Sequence, residues 1–168
     1  MKELFSGHGW RVTLDEAALP DGRMKKAARV HSADTVVILP LVQPDRVVIL
    51  REFRPFWGCY VWMLPSGKAD KETDILAAAQ RELREETGMR AGKITPYGTC
   101  YYRDTIAYTC HFFLAEDLVA DPLPRDATEL MEVHTLPIDE AIQRVVTGER
   151  SHAASGNLLL RYAREHGF

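Results

Sequence analysis

The sequence lacks a basic excess: 21 Lys and Arg stand against 24 Asp and Glu, a formal charge of −3. Surfaces that track nucleic acid need clustered cations to displace counterions from phosphates. A nucleic-acid partner is therefore not expected, whereas a small anionic ligand needs only a few local cations. Long apolar runs are missing as well, since none reaches the roughly 18 residues that a spanning helix requires. Residues 1–10 carry neither a basic stretch followed by an apolar one nor a small-residue cleavage site, so neither export nor membrane association is expected. Cysteine is scarce, and Cys59, Cys100 and Cys110 form an odd set without paired spacing, which fits reduced, structural thiols in a cytoplasmic protein. The histidines form no close pair with one another or with cysteine, which argues against a zinc site. Repeats, low-complexity tracts and linker-like composition shifts are absent too.

What is present is an ordinary globular composition, 46% hydrophobic over 168 residues, enough for one compact core. Residues 8–14 and 23–31 read as exposed strands around the turn residues Leu19, Pro20, Asp21 and Gly22. Residues 35–42 and 46–53 are β-branched runs that predict a hairpin of buried strands. Residues 60–64 predict a further strand, ended by Pro65, Ser66 and Gly67, with a loop over 68–73. From Asp74 the spacing turns helical, with Leu76, Ala79 and Leu83 as the apolar stripe. Asp74 or Thr73 can cap its start and Gly88 its end. Strands are expected over 94–102, 105–115 and 131–136, and helices over 137–147 and 153–166. Strands on both sides of a central helix, followed by terminal helices, suggest an α/β fold with a mixed sheet covered on its faces.

The chemistry concentrates in residues 67–89, GKADKETDILAAAQRELREETGM. On the predicted helix Glu85 lies about 60° to one side of Glu82 and Glu86 about 40° to the other. Three carboxylates thus share one face, and two of them sit at the negative end of the helix dipole. Such a ridge calls for positive charge. Arg81 and Arg84 supply part of it, and a hard divalent cation with oxygen ligands would supply the rest.

The run Gly67, Arg81, Glu82, Leu83, Glu85, Glu86, Gly88, Met89 resembles the Nudix box at every fixed position and spacing except Thr73, where the family carries its first glutamate. Thr73 can still cap the helix, and Glu72 can reach Arg81 instead. The resemblance implies the Nudix fold, an α/β/α sandwich around a mixed sheet. It implies that Glu82, Glu85 and Glu86 bind Mg2+ (or Mn2+) with the backbone carbonyl of Ser66, and that Arg81 orients the carboxylates. It also implies a further loop acid as base or extra ligand, for which Glu129 is the candidate and Asp126 the reserve.

Beyond the box, REFRP (residues 51–55), LPSGK, FFLAEDL, MEVHTLP and HAASGNLLL resemble the ADP-ribose pyrophosphatase branch, which splits ADP-ribose or other nucleoside diphosphate sugars. This implies a small nucleotide substrate and a homodimer, with residues 1–34 as N-terminal strands available for dimerisation and 35–168 as the hydrolase domain. Arg54 is suited to a diphosphate because its planar fork binds phosphate oxygens in pairs, while Arg51 and Glu52 are candidates for base or sugar. Trp57, Tyr60 and Trp62 can stack on a base or serve core or subunit contacts. Where the branch carries a proline-containing SPG-type loop, this chain has residues 100–105, CYYRDT, which leaves sugar and base open. GDP-mannose or a dinucleoside polyphosphate is the alternative substrate. A catalytically weak nucleotide-binding module is the alternative class, motivated by Thr73, and no cysteine has the context of an isopentenyl-diphosphate isomerase.

Overall fold

The computed structural model describes residues 1–71, 74–148 and 150–168, so Thr73 as a cap and Glu72 as a partner of Arg81 lie outside the described residues. The order is β1 (Lys2–Gly7), β2 (Trp10–Ala18), β3 (Met24–Ser32), β4 (Thr35–Gln43), β5 (Arg46–Arg54), β6 (Cys59–Met63), β7 (Ser66–Lys68), α1 (Ile75–Thr87), β8 (Met89–Arg103), β9 (Ile106–Ala120), β10 (Met131–Pro137), α2 (Ile138–Val146) and α3 (Ala153–His166).

β4 runs through the centre of the sheet, parallel to β9. Its apolar run is continuous because both of its faces are covered. Val36 and Ile38 join Ala78, Ala79 and Leu83 of α1, Phe113 and Ala115 on one side. Val37, Leu39 and Leu41 join Val47, Ile49, Phe112, Ile138, Leu158 and Leu159 under α2 and α3 on the other. The result is the expected sandwich of helices around a mixed sheet. Along its other edge β4 changes partner, pairing with β7 over Thr35, Val36 and Val37 and with β5 at Leu41 and Gln43. Pro40 lies in the gap between those two ladders, where a missing N–H is tolerated.

Several boundaries differ from the sequence expectation. Residues 2–7 form an additional strand joined to β2 through His8 and Gly9, both at positive φ (52° and 75°); its side chains are mostly exposed, so no buried face marks it in the sequence. Lys68 belongs to β7 rather than to a loop, because the chain bends at Pro65 and then pairs again, Ser66, Gly67 and Lys68 lying against Val37, Val36 and Thr35 of β4. β8 starts at Met89, directly after the left-handed Gly88, and β9 continues to Ala120. Leu76 is 37% exposed, and the buried stripe of α1 is Ala78, Ala79, Glu82, Leu83 and Glu86 instead. The small alanines let α1 lie close to the sheet, and the stripe ends in carboxylates. β1, β2 and β3 form an antiparallel extension, tied to the body by the parallel pairing of Val30 and His31 with β9.

Candidate active site

Helix α1 delivers the three glutamates to a cleft of about 570 Å³. Asp74 caps its start by accepting from Leu76 N–H, and Gly88, at φ 74°, closes its end on Arg84 O. Glu82 and Glu86 are buried. Glu82 rests directly over Gly67, where an added Cβ would stand 2.1 Å from its carboxyl carbon. Glu86 Oε2 accepts the Ser66 N–H at 2.8 Å. Arg81 spans its neighbours: Nη1 meets Glu85 Oε2 at 2.6 Å, Nη2 meets Glu82 Oε1 at 2.9 Å, and Nη2 also donates to Lys68 O at 3.1 Å. Arg81 thus ion-pairs with both Glu82 and Glu85.

From β5, alternate residues face the same cleft. Glu52 is buried there, and Arg54 Nη2 pairs with Glu52 Oε2 at 2.9 Å. Arg54 Nε and Nη1 have no partner among the described residues. Arg51 is on the other face of the strand, bonded to Glu132 at 3.0 Å and stacked 4.2 Å over Tyr60; it does not line the cleft. Trp62 is likewise elsewhere, packed against the α2 and α3 core with Arg144 over its ring.

The loop before β10 brings Asp126 and Glu129 to the cleft. Asp126 Oδ1 accepts from Thr128 N–H and Oγ1–H, at 2.8 and 2.7 Å, which folds the turn and holds its carboxyl below the usual carboxylate range. Arg125, which carries no motif, ties this loop to α1. It donates to Glu86 O at 2.6 Å and Glu85 O at 3.3 Å, the carbonyls left open at the helix end. Lys68 and Lys71 also line the cleft. No spacing rule would have found Arg125, because the contact is made between segments 39 residues apart.

Burial pushes Glu82, Glu52 and Glu129 above the ordinary carboxylate range, and pushes Glu86 well above it despite the Ser66 N–H. Like charges add to this: Glu82, Glu129 and Glu52 all face Glu86. These four acids are crowded and partly desolvated, and their donors are all hard oxygens. That donor set fits Mg2+ or Mn2+ and not a softer ion. Among the described residues no three acid, histidine or cysteine groups converge at coordinating distance, since Glu82 and Glu85 turn to Arg81 and Glu86 to Ser66.

Among proteins of known sequence, the ADP-ribose pyrophosphatase of Bacillus subtilis (strain 168) is 28% identical over 154 residues, covering 88% of this chain and 82% of that protein. The ADP-sugar pyrophosphatase of Mus musculus is 30% identical over 127 residues, covering 68% of this chain and 57% of that protein. A crystal structure of an ADP compounds hydrolase superposes with a TM-score of 0.80 at 20% identity, over 98% of this chain and 89% of that one, a likeness of fold. The NUDIX domain model matches residues 31–155. Since that stretch runs from the end of β3 into α3 and takes in the whole cleft, the chain belongs to the Nudix family of pyrophosphohydrolases.

Proposed function

We propose that this enzyme hydrolyses the diphosphate bond of a nucleoside diphosphate sugar, with ADP-ribose as substrate and AMP and ribose 5-phosphate as products. The observation that carries this reading is the cleft itself, where buried glutamates of α1 face Arg54 across a space lined by Lys68 and Lys71. The relatives that act on ADP-ribose and ADP-sugars support the substrate class.

In this reading Glu82, Glu85, Glu86 and the Ser66 carbonyl hold Mg2+ (or Mn2+), which when bound polarises phosphoryl oxygens and acidifies a coordinated water. The chain's own residues do the rest. Arg54, with Nε and Nη1 unengaged, clamps the diphosphate oxygens and offsets their charge. Arg81 keeps Glu82 and Glu85 oriented. Glu129 accepts the proton of the attacking water as the new P–O bond forms and the bridging P–O bond breaks, releasing the second phosphate on its sugar. Glu52 holds Arg54 in place. We further propose a homodimer formed through β1, β2 and β3, which leave Leu4, Phe5, Trp10, Leu14 and Met24 exposed. A reducing cytoplasm suits the three free thiols. No helix is long and apolar enough to cross a membrane among the described residues.

Incubation with Mg2+ and a nucleotide panel, followed by chromatography, tests the reaction. ADP-ribose should give AMP and ribose 5-phosphate in equal amounts. Equal or faster turnover of GDP-mannose or a dinucleoside polyphosphate would replace the assignment, and tight binding without turnover would make the protein a binding module. Glu85→Gln should lower turnover by about 100-fold or more with an unchanged circular dichroism spectrum.

A further inference from the structure

A second cavity, of about 450 Å³, adjoins the cleft; it is lined by Arg54, Pro55, Phe56, Trp57, Val61, Met63 and His152. Arg54 belongs to both spaces and forms the partition. Its Nη2 meets Glu52 Oε2 on the acidic side at 2.9 Å and Met63 Sδ on the apolar side at 3.0 Å. The turn that carries the aromatic wall is pinned to that same residue, with Trp57 N–H and Gly58 N–H both donating to Arg54 O, at 3.0 and 2.9 Å. Phe56 is 104% and Trp57 49% exposed, so two aromatic rings stand at the mouth with little of the chain covering them. Exposed faces of this kind are open to stacking by a planar ligand.

The far wall supplies one polar edge. Ser155 Oγ accepts Leu64 N–H at 2.9 Å and lies 2.6 Å from His152 Nδ1. The Ser155 hydroxyl has a proton to give, and in the tautomer where it donates to Nδ1 the neutral ring carries its own proton on the other nitrogen, Nε2. Nε2 has no hydrogen-bond partner among the described residues, and the ring borders the cavity. Burial, with Arg54 nearby, lowers the His152 pKa to about 4, so the ring is neutral at physiological pH and offers one N–H.

We propose that this cavity takes the heterocyclic base of the substrate, stacked on Trp57 with an acceptor edge toward His152 Nε2–H, while Arg54 grips the adjoining diphosphate. The proposal rests on the diphosphatase reading above. A sugar is the poorer occupant, because apolar walls would leave its several hydroxyls unpaired. A planar ring with an acceptor edge satisfies both the aromatic wall and the His152 donor.

Calorimetry on the Mg2+-loaded protein with AMP and with ribose 5-phosphate, alongside kinetics, decides it. Trp57→Ala should weaken AMP binding about tenfold with ribose 5-phosphate binding as in the parent protein. The ratio of kcat/KM for ADP-ribose to that for methyl diphosphate, which carries no base, should fall about tenfold. His152→Leu should lower the same ratio, so that a folding defect in one variant leaves the other to decide. AMP binding unchanged in both variants would overturn the proposal, as would weakening confined to ribose 5-phosphate. A dimer that becomes monomeric in Trp57→Ala, with AMP affinity retained, would assign the rings to a contact between copies instead. If the parent protein binds AMP at this cavity but splits no diphosphate, the reaction assignment fails and the base site stands.

Discussion

A methyl group at Gly67 would collide with the Glu82 carboxyl, and that carboxyl is held from its other side by Arg81. Gly67→Ala should therefore displace the Glu82 head group while leaving the core intact. Turnover is expected to drop about 10- to 100-fold, with Mg2+ affinity weakened in calorimetry and the thermal midpoint shifted by only a few degrees. His152 acts on stability rather than on charge balance. Its pKa falls from 6.5 in the unfolded chain to about 4 when folded, so below pH 6.5 the unfolded state takes up a proton that the folded state refuses. Its contribution is complete above pH 6.5 and is lost as pH falls toward 4, up to about 3 kcal/mol. Urea unfolding of the protein and of His152→Gln should show the two curves converging across that window; parallel curves would mean that His152 is not the titrating group.

Among the elements, α1 and the loop before β10 form one unit. Arg125 joins the open carbonyls of Glu85 and Glu86 to the segment carrying Asp126 and Glu129, and it places positive charge at the negative end of the helix. Arg125→Ala should free that loop: limited proteolysis should cut near residues 124–130 at a rate at least several-fold higher, and kcat should fall more than KM rises. A loop as resistant as in the parent protein would show that Arg125 is dispensable for its placement. At the other end of α1 the Asp74 cap is exposed, and Asp74→Ala should cost about 1 kcal/mol in chemical unfolding. The helix itself was legible from Asp74, Gly88 and the spacing between them. Its facing is less legible, because Leu76 counts as apolar wherever it stands, whereas the burial of Glu82 and Glu86 arises from β7 and Gly67 lying against them.

At the scale of the whole molecule, β1, β2 and β3 extend the sheet beyond the helices that cover it, which leaves apolar side chains such as Phe5 and Trp10 half exposed. If they meet a second copy, Phe5→Asp should shift sedimentation from dimer to monomer; a monomeric parent protein would remove the dimer from the account. Periodicity, turn residues and the 67–89 motif were by themselves sufficient for the sandwich and for the acids on one helix face, because short-range spacing dictates which side chains share a helix face or a strand face. They could not separate Arg54 from Arg51, which stand three residues apart with similar chemistry. Only the pleat of β5 sends one to the cleft and the other to Glu132. Nor could they bring Arg125 to the end of α1, or His152 beside Arg54, since those meetings are made by loops and strand order joining distant segments. The local pattern of this chain determined what its elements are and which chemistry they carry; the packing of those elements decided which charges are buried together and what shares the site with them.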